Sequence, residues 1–102
     1  MSTPTRIAVL ASGRGSNLQA ILDAIADGRL PAEVVGVFSD RPAAAALQRV
    51  GDSLRWAHAP KEFGDRAAYE QALGDALAAV APDLIVCAGY MRILGADFVQ
   101  RF

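Results

Sequence analysis

Ser12-Gly13-Arg14-Gly15-Ser16-Asn17 is the stretch whose reading decides the fold. An apolar run, Ile7-Ala8-Val9-Leu10, comes just before it. Leu18, Ile21, Leu22 and Ile25 follow at helical spacing. The order is strand, glycine loop, helix. The strand has no polar alternation, as expected when both faces are covered. Asn17 is the predicted N-cap of the helix and Gly28 its closing glycine. A loop so placed turns backbone N–H groups toward the positive end of a helix dipole, a ready site for an anion. The side chains on offer are a serine hydroxyl and an asparagine amide, not a lysine.

Outward from the loop, the same alternation continues. Val34-Val35-Gly36-Val37-Phe38 reads as a second buried strand ending at Ser39-Asp40. Pro42 opens a predicted short alanine-rich helix that Gly51 closes. Leu54, Trp56 and His58 alternate with Arg55 and Ala57, a third strand placed at an edge because one face is polar. Lys61-Glu62-Phe63-Gly64 is read as a loop, with Asp65 as N-cap of a helix striped by Tyr69, Leu73, Leu77 and Val80. Leu84-Ile85-Val86-Cys87-Ala88 is the fourth strand, with Cys87 expected in the core. The apolar loop Gly89–Leu94 follows, and then the start of another helix near Gly95. Strands alternating with helices predict a parallel sheet wound by right-handed crossovers. If the winding reverses after the third strand, the order is 3-2-1-4 in a Rossmann-like, three-layer αβα fold. The loops after strands 1 and 4 then meet at the switch point where open α/β sheets bind ligands.

Composition sets limits on function. The chain has 102 residues, 53% of them hydrophobic and 21% charged, which reads as one folded, soluble domain. Its net charge of −1 supplies no basic field for nucleic acid. No apolar run reaches the roughly 20 residues of a membrane span. The single cysteine cannot form an internal disulfide, and the expected compartment is a reducing cytoplasm. His58 comes without a ligand pattern, and no metal is expected.

Several glycine-loop chemistries compete for Ser12–Asn17. A Walker loop requires a lysine that is missing. A dinucleotide fingerprint requires a third glycine where Leu18 stands, although Asp40 lies where a ribose-binding acid could sit. A nucleophile elbow requires glycines flanking the serine. A plain strand-to-helix turn capped by Asn17 needs neither both glycines nor Ser16. Arg14 either screens a phosphate or is simply solvated.

Three blocks together are more specific. Ile7–Ile21 closely resembles the start of the phosphoribosylglycinamide formyltransferase (GAR transformylase) family. Phe63-Gly64-Asp65-Arg66-Ala67-Ala68-Tyr69 resembles that family's Phe-x-x-Arg-x-x-Tyr segment. Ala88-Gly89-Tyr90-Met91-Arg92-Ile93-Leu94 resembles its Ala-Gly-Phe/Tyr-Met-Arg-Ile-Leu loop. The resemblance covers the chain from Arg6 to Phe102, with Asp40-Arg41 a mild departure from the Asn-Lys often found there.

The resemblance implies that Gly15, Ser16 and Asn17 bind the phosphate of glycinamide ribonucleotide. It implies that Met91, Arg92, Ile93 and Leu94 line a folate pocket, and that Arg66 also contacts the folate co-substrate, 10-formyltetrahydrofolate. A guanidinium fork suits the acidic folate tail. The implied reaction belongs to purine biosynthesis. The substrate amine attacks the formyl carbon, and a tetrahedral oxyanion forms and collapses, releasing tetrahydrofolate. That step needs oxyanion donors and a group to manage the proton. The family supplies them from an Asn-x-His-Pro-Ser segment and a later aspartate. The chain contains neither, having one histidine, His58, and one asparagine, Asn17. It is therefore expected to be the N-terminal part of a single formyltransferase domain (residues 1–102), inactive alone, and prone to dimerise or swap strands along its fourth strand. The alternatives are a non-catalytic phosphate- or nucleotide-binding α/β module, a formyltetrahydrofolate deformylase, or a methionyl-tRNA formyltransferase.

Overall fold

The structure, a computed structural model, describes residues 4–88. Four strands form one parallel sheet: β1 (Thr5–Leu10), β2 (Ala32–Ser39), β3 (Arg55–Ala57) and β4 (Leu84–Cys87). Their order is β3-β2-β1-β4, as predicted. Two α-helices, α1 (Ser16–Ala26) and α2 (Arg66–Val80), cover opposite faces. Parallel neighbours cannot be joined by tight hairpins, so each connection must cross a face of the sheet.

Alternating Cβ directions divide β1 between two cores. Ile7 and Val9 face α1, where Leu18 is buried and Ile21, Leu22 and Ile25 pack against the cluster. Ala8 and Leu10 face α2, beside the fully buried Leu73 and Leu77. Tyr69, Leu73 and Leu77 recur every fourth residue and make a single apolar stripe. Burying a leucine of this kind contributes about 1.5–3 kcal/mol.

The pairing of β1 with β2 slips once. Ile7 lies opposite Val34, but Ala8 lies opposite Gly36. Val35 is thus an extra residue, a bulge. It lets Val34 and Val37, three positions apart, serve the same core.

The ends of the elements have local causes. Gly28 has φ 78°, the left-handed conformation that glycine adopts without penalty. Its N–H donates to Ile25 O at 3.1 Å and that of Arg29 to Ala24 O at 3.0 Å, a Schellman closure of α1. Asp65 caps α2 as predicted, its Oδ1 accepting from the Ala68 N–H at 2.7 Å. Arg6 ties the other end of α2 to β1, donating to the carbonyls of Val80 and Ala81 at 2.6 and 3.1 Å.

Four expectations need correction. The segment after Pro42 is a 3-10 turn, Ala45–Arg49, followed by another, Asp52–Leu54, rather than one alanine helix. Its buried residues, Ala46 and Leu47, are too closely spaced to form a helical stripe. Lys61–Phe63 belongs to a 3-10 turn starting at Pro60. Cys87 is exposed rather than core, and Leu84 is 51% exposed. The reason is topological: among the described residues β4 pairs only with β1. Asn17 does not cap α1, for reasons that belong to the site itself. The expected helix near Gly95 lies outside the described residues.

Candidate phosphate site at the start of helix α1

Because all strands run the same way, Ala11 and Ala88 leave the sheet at one edge. Leu10 is paired with Cys87, and the Ala88 N–H donates to Leu10 O at 2.8 Å. Ala11 and Ala88 therefore lie side by side at the reversal of winding, the position where open α/β sheets bind their ligands. Both α1 and α2 begin at this edge, on opposite faces.

The loop from Ser12 to Gly15 is shaped by buried contacts. Ser12 and Asp40 are both buried, and the Ser12 hydroxyl donates to Asp40 Oδ1 at 2.6 Å. This hydrogen bond joins the ends of β1 and β2, so the carboxylate turns inward into the fold. Gly15 has φ 81°, and a Cβ there would lie 2.7 Å from both Cα and Cβ of Ala46. Glycine is required on two counts, conformation and space. Gly13 is different: a Cβ would meet nothing within 4 Å.

The N-cap of α1 is Gly15, and no side chain caps the helix. The helix therefore starts at Ser16, ahead of the position predicted from Asn17. A glycine cap has no side-chain acceptor to spend on the first turn. The N–H groups of that turn have no partner within the helix, and Ser16 and Asn17 are exposed beside them. Backbone donors, a hydroxyl and an amide so grouped suit a phosphate monoester.

Arg66 is the first residue of α2. Its Nε lies 3.3 Å from Glu70 Oε2, and the side chain is largely exposed. It shares the sheet edge with Gly15, Ser16 and Asn17 but stands on the other face. Met91, Arg92, Ile93 and Leu94 lie outside the described residues. Among the described residues no cluster of His, Cys, Asp or Glu could hold a metal ion, and no helix is long and apolar enough to cross a membrane.

His58 sits against Trp56 edge-on, with ring centroids 4.8 Å apart, and against Phe63 at 5.7 Å. Trp56 in turn packs near Phe38 and Tyr69. Tryptophan and histidine here serve packing at the sheet edge. Nearby, Glu62 accepts from the Ala59 N–H and lies 3.4 Å from His58 Nδ1. That backbone hydrogen bond first, and the His58 hydrogen bond second, hold the Glu62 carboxyl below its ordinary value.

Two residues that shape the loop escape a local reading of sequence. Ala46 and Arg49 approach it from the turn after β2. Only the fold brings them there, and no motif marks them.

Comparison with known proteins agrees with this geometry. The formyl transferase family model matches residues 5–102. The chain is 43% identical over 99 residues to phosphoribosylglycinamide formyltransferase of Haemophilus influenzae, covering 95% of this chain and 47% of that protein. It is 46% identical over 106 residues to the Mycobacterium tuberculosis protein of the same name, covering 99% and 47%. Among solved structures, glycinamide ribonucleotide transformylase 1 from Symbiobacterium toebii matches with a TM-score of 0.91 at 38% identity, over 100% of this chain and 49% of that one. The Coxiella burnetii phosphoribosylglycinamide formyltransferase in complex with CHES matches with a TM-score of 0.87 at 41% identity, over 95% and 46%. The chain thus spans about half the length of these relatives. With the family's pattern running from the first strand to the last residue, and with the same sheet recurring in solved transformylases, the chain belongs to the formyl transferase family.

Proposed function

We propose that this chain is the substrate-phosphate half of a phosphoribosylglycinamide formyltransferase, and that residues 1–102 form the N-terminal part of one formyltransferase domain. The observation that carries this reading is the start of α1. A left-handed glycine, no capping side chain and exposed Ser16 and Asn17 meet there at the carboxyl edge of a parallel sheet. In this reading Gly15, Ser16 and Asn17 hold the 5′-phosphate of glycinamide ribonucleotide through backbone N–H groups, a hydroxyl and an amide. Fixing the phosphate orients the substrate amine toward the crevice, so binding energy far from the reacting atoms sets the geometry of attack.

The co-substrate 10-formyltetrahydrofolate supplies the formyl group. Arg66 faces its acidic tail, and Met91, Arg92, Ile93 and Leu94 wall its ring system. Apolar walls with a few backbone donors and acceptors suit such a heterocycle. Arg66 would have to exchange Glu70 for the folate carboxylate, a substitution of one carboxylate for another. The 102-residue polypeptide alone transfers no formyl group, because Asn17 is assigned to phosphate and His58 to packing, and no other asparagine or histidine is present. Among the described residues β4 pairs only with β1, and an open edge of this kind favours a homodimer or a strand-swapped assembly.

The test is calorimetric titration of glycinamide ribonucleotide into the chain and into Asn17→Ala. Loss of the amide donor is expected to weaken binding about tenfold, a typical worth of one hydrogen bond to a charged group. Equal affinity for both proteins removes Asn17 from the phosphate site. Formyl transfer above background by the purified polypeptide refutes its assignment as a substrate-binding half.

A further inference from the structure

The phosphate loop is held from behind through its carbonyl oxygens. Gly13 O accepts from the Ala46 N–H at 2.9 Å, and Gly15 O from the Gln19 N–H at 2.8 Å. Between them, Arg14 O accepts from Arg49 Nε at 2.7 Å. A second prong of the same guanidinium, Nη1, donates to Gln19 Oε1 at 3.2 Å. Arg49 therefore clamps the loop to the first turns of α1 with two hydrogen bonds in one rigid plane.

The peptide unit turns this clamp into an aiming device. In a planar trans peptide the carbonyl and the following N–H point in opposite directions. Anchoring Arg14 O on Arg49 therefore turns the Gly15 N–H away from the guanidinium. The absent Cβ of Gly15 makes the approach possible, since one would lie 3.0 Å from Arg49 Nε. Arg49 also keeps its charge in full: it forms no ion pair among the described residues. A positive charge thus stands behind the loop, held by neutral oxygens only.

We infer that Arg49 is the positioning residue of the phosphate loop: it aims the Gly15 N–H at a phosphate monoester and adds an unneutralised positive charge, without touching the ligand. This rests on the reading of Gly15, Ser16 and Asn17 as a phosphate site. It assigns a role to a residue outside the loop, reached only through the turn at Ala45–Arg49.

The experiment is titration of the ¹⁵N-labelled 102-residue chain with inorganic phosphate, followed by amide NMR, at two salt concentrations. In the wild type the amides of Gly15, Ser16 and Asn17 are expected to move together. Arg49→Met is expected to bind phosphate about tenfold more weakly and to lose the Gly15 response. Arg49→Lys keeps the charge but not the planar fork, so it retains the salt dependence while losing the Gly15 response. Gln19→Ala removes one prong and weakens binding by a smaller factor, which keeps the question open to test if Arg49→Met fails to fold. A merely structural role would lower the melting temperature of all variants and leave the Gly15 response intact in those that fold, which overturns the inference. Wild-type affinity and response in Arg49→Met overturn it too. If Asn17→Ala weakens binding while Arg49→Met does not, the phosphate reading stands and only this inference falls. If the wild type shifts no loop amide, the phosphate reading fails first and takes the inference with it.

Discussion

Gly13 and Gly15 are identical in type and two positions apart, yet the fold treats them differently. Gly15 combines a φ of 81° with a neighbour, Ala46, 2.7 Å from where a Cβ would be. The clash is with backbone, which cannot swing aside. Gly15→Ala is therefore expected to destabilise the chain by about 1–3 kcal/mol or more. Gly13→Ala, with open space around it, should fall within about 0.5 kcal/mol of wild type. Urea denaturation of the two variants side by side checks this; equal midpoints would mean that Ala46 does not confine the loop. A repeated glycine was visible in the sequence, but which one is indispensable was not. That distinction depends on Ala46, contributed by a distant turn.

At the scale of the element, sequence was most informative where the cause is local. Asp65 caps α2 because its carboxylate sits three residues before the N–H that it accepts, and the same spacing is visible in the sequence. Gly28 closes α1 for an equally local reason. Asn17 looked like a cap by residue type, but Gly15 starts the helix earlier, because the left-handed turn there already redirects the chain. The bulge at Val35 does carry a local mark, Gly36 beside it, since an isolated glycine inside an apolar strand often accompanies such a slip; the pattern of apolar residues alone does not show it. Glu62 makes a testable case for the short turn Pro60–Phe63. Its folded carboxyl titrates below the ordinary 4.5, chiefly through the Ala59 N–H. A depressed carboxylate contributes stability above its unfolded value, and that contribution is lost as pH falls through the folded one. Glu62→Gln is therefore expected to be less stable than wild type near neutrality. The gap should close below pH 4.5. Denaturation midpoints measured across this range for both proteins decide it; a gap independent of pH would show that the charge is not involved.

At the scale of the whole molecule, the strand order follows from alternating element types plus one reversal; the alternation was legible in the order of apolar runs, while the reversal was supposed rather than read. The fourth strand was already expected to associate along its edge, but the exposure of Cys87 was not legible, because an apolar strand reads as buried whether or not something covers it. Leu84 and Cys87 are open to solvent on a strand paired on one side among the described residues. Cys87 is expected to react with a thiol reagent in the native 102-residue chain nearly as fast as in urea. The chain should also self-associate with rising concentration, and Leu84→Lys should suppress this, since an edge lysine opposes strand pairing. Sedimentation velocity reads the second effect, and a concentration-independent monomer would remove the proposed assembly.

The central position of β1 also sets a timetable. Arg6, in the first strand of this chain, hydrogen-bonds Asp83, 77 residues later. At about 5–20 residues per second, roughly 4–15 s of synthesis separate the two. Throughout that interval β1 has one flank without its partner, while Asp40, Ala46 and Arg49, which hold the loop after it, have already been made. The loop can thus take its shape before the sheet is complete, whereas the β4 flank of β1 stays open longest and depends most on whatever shields newly made chains.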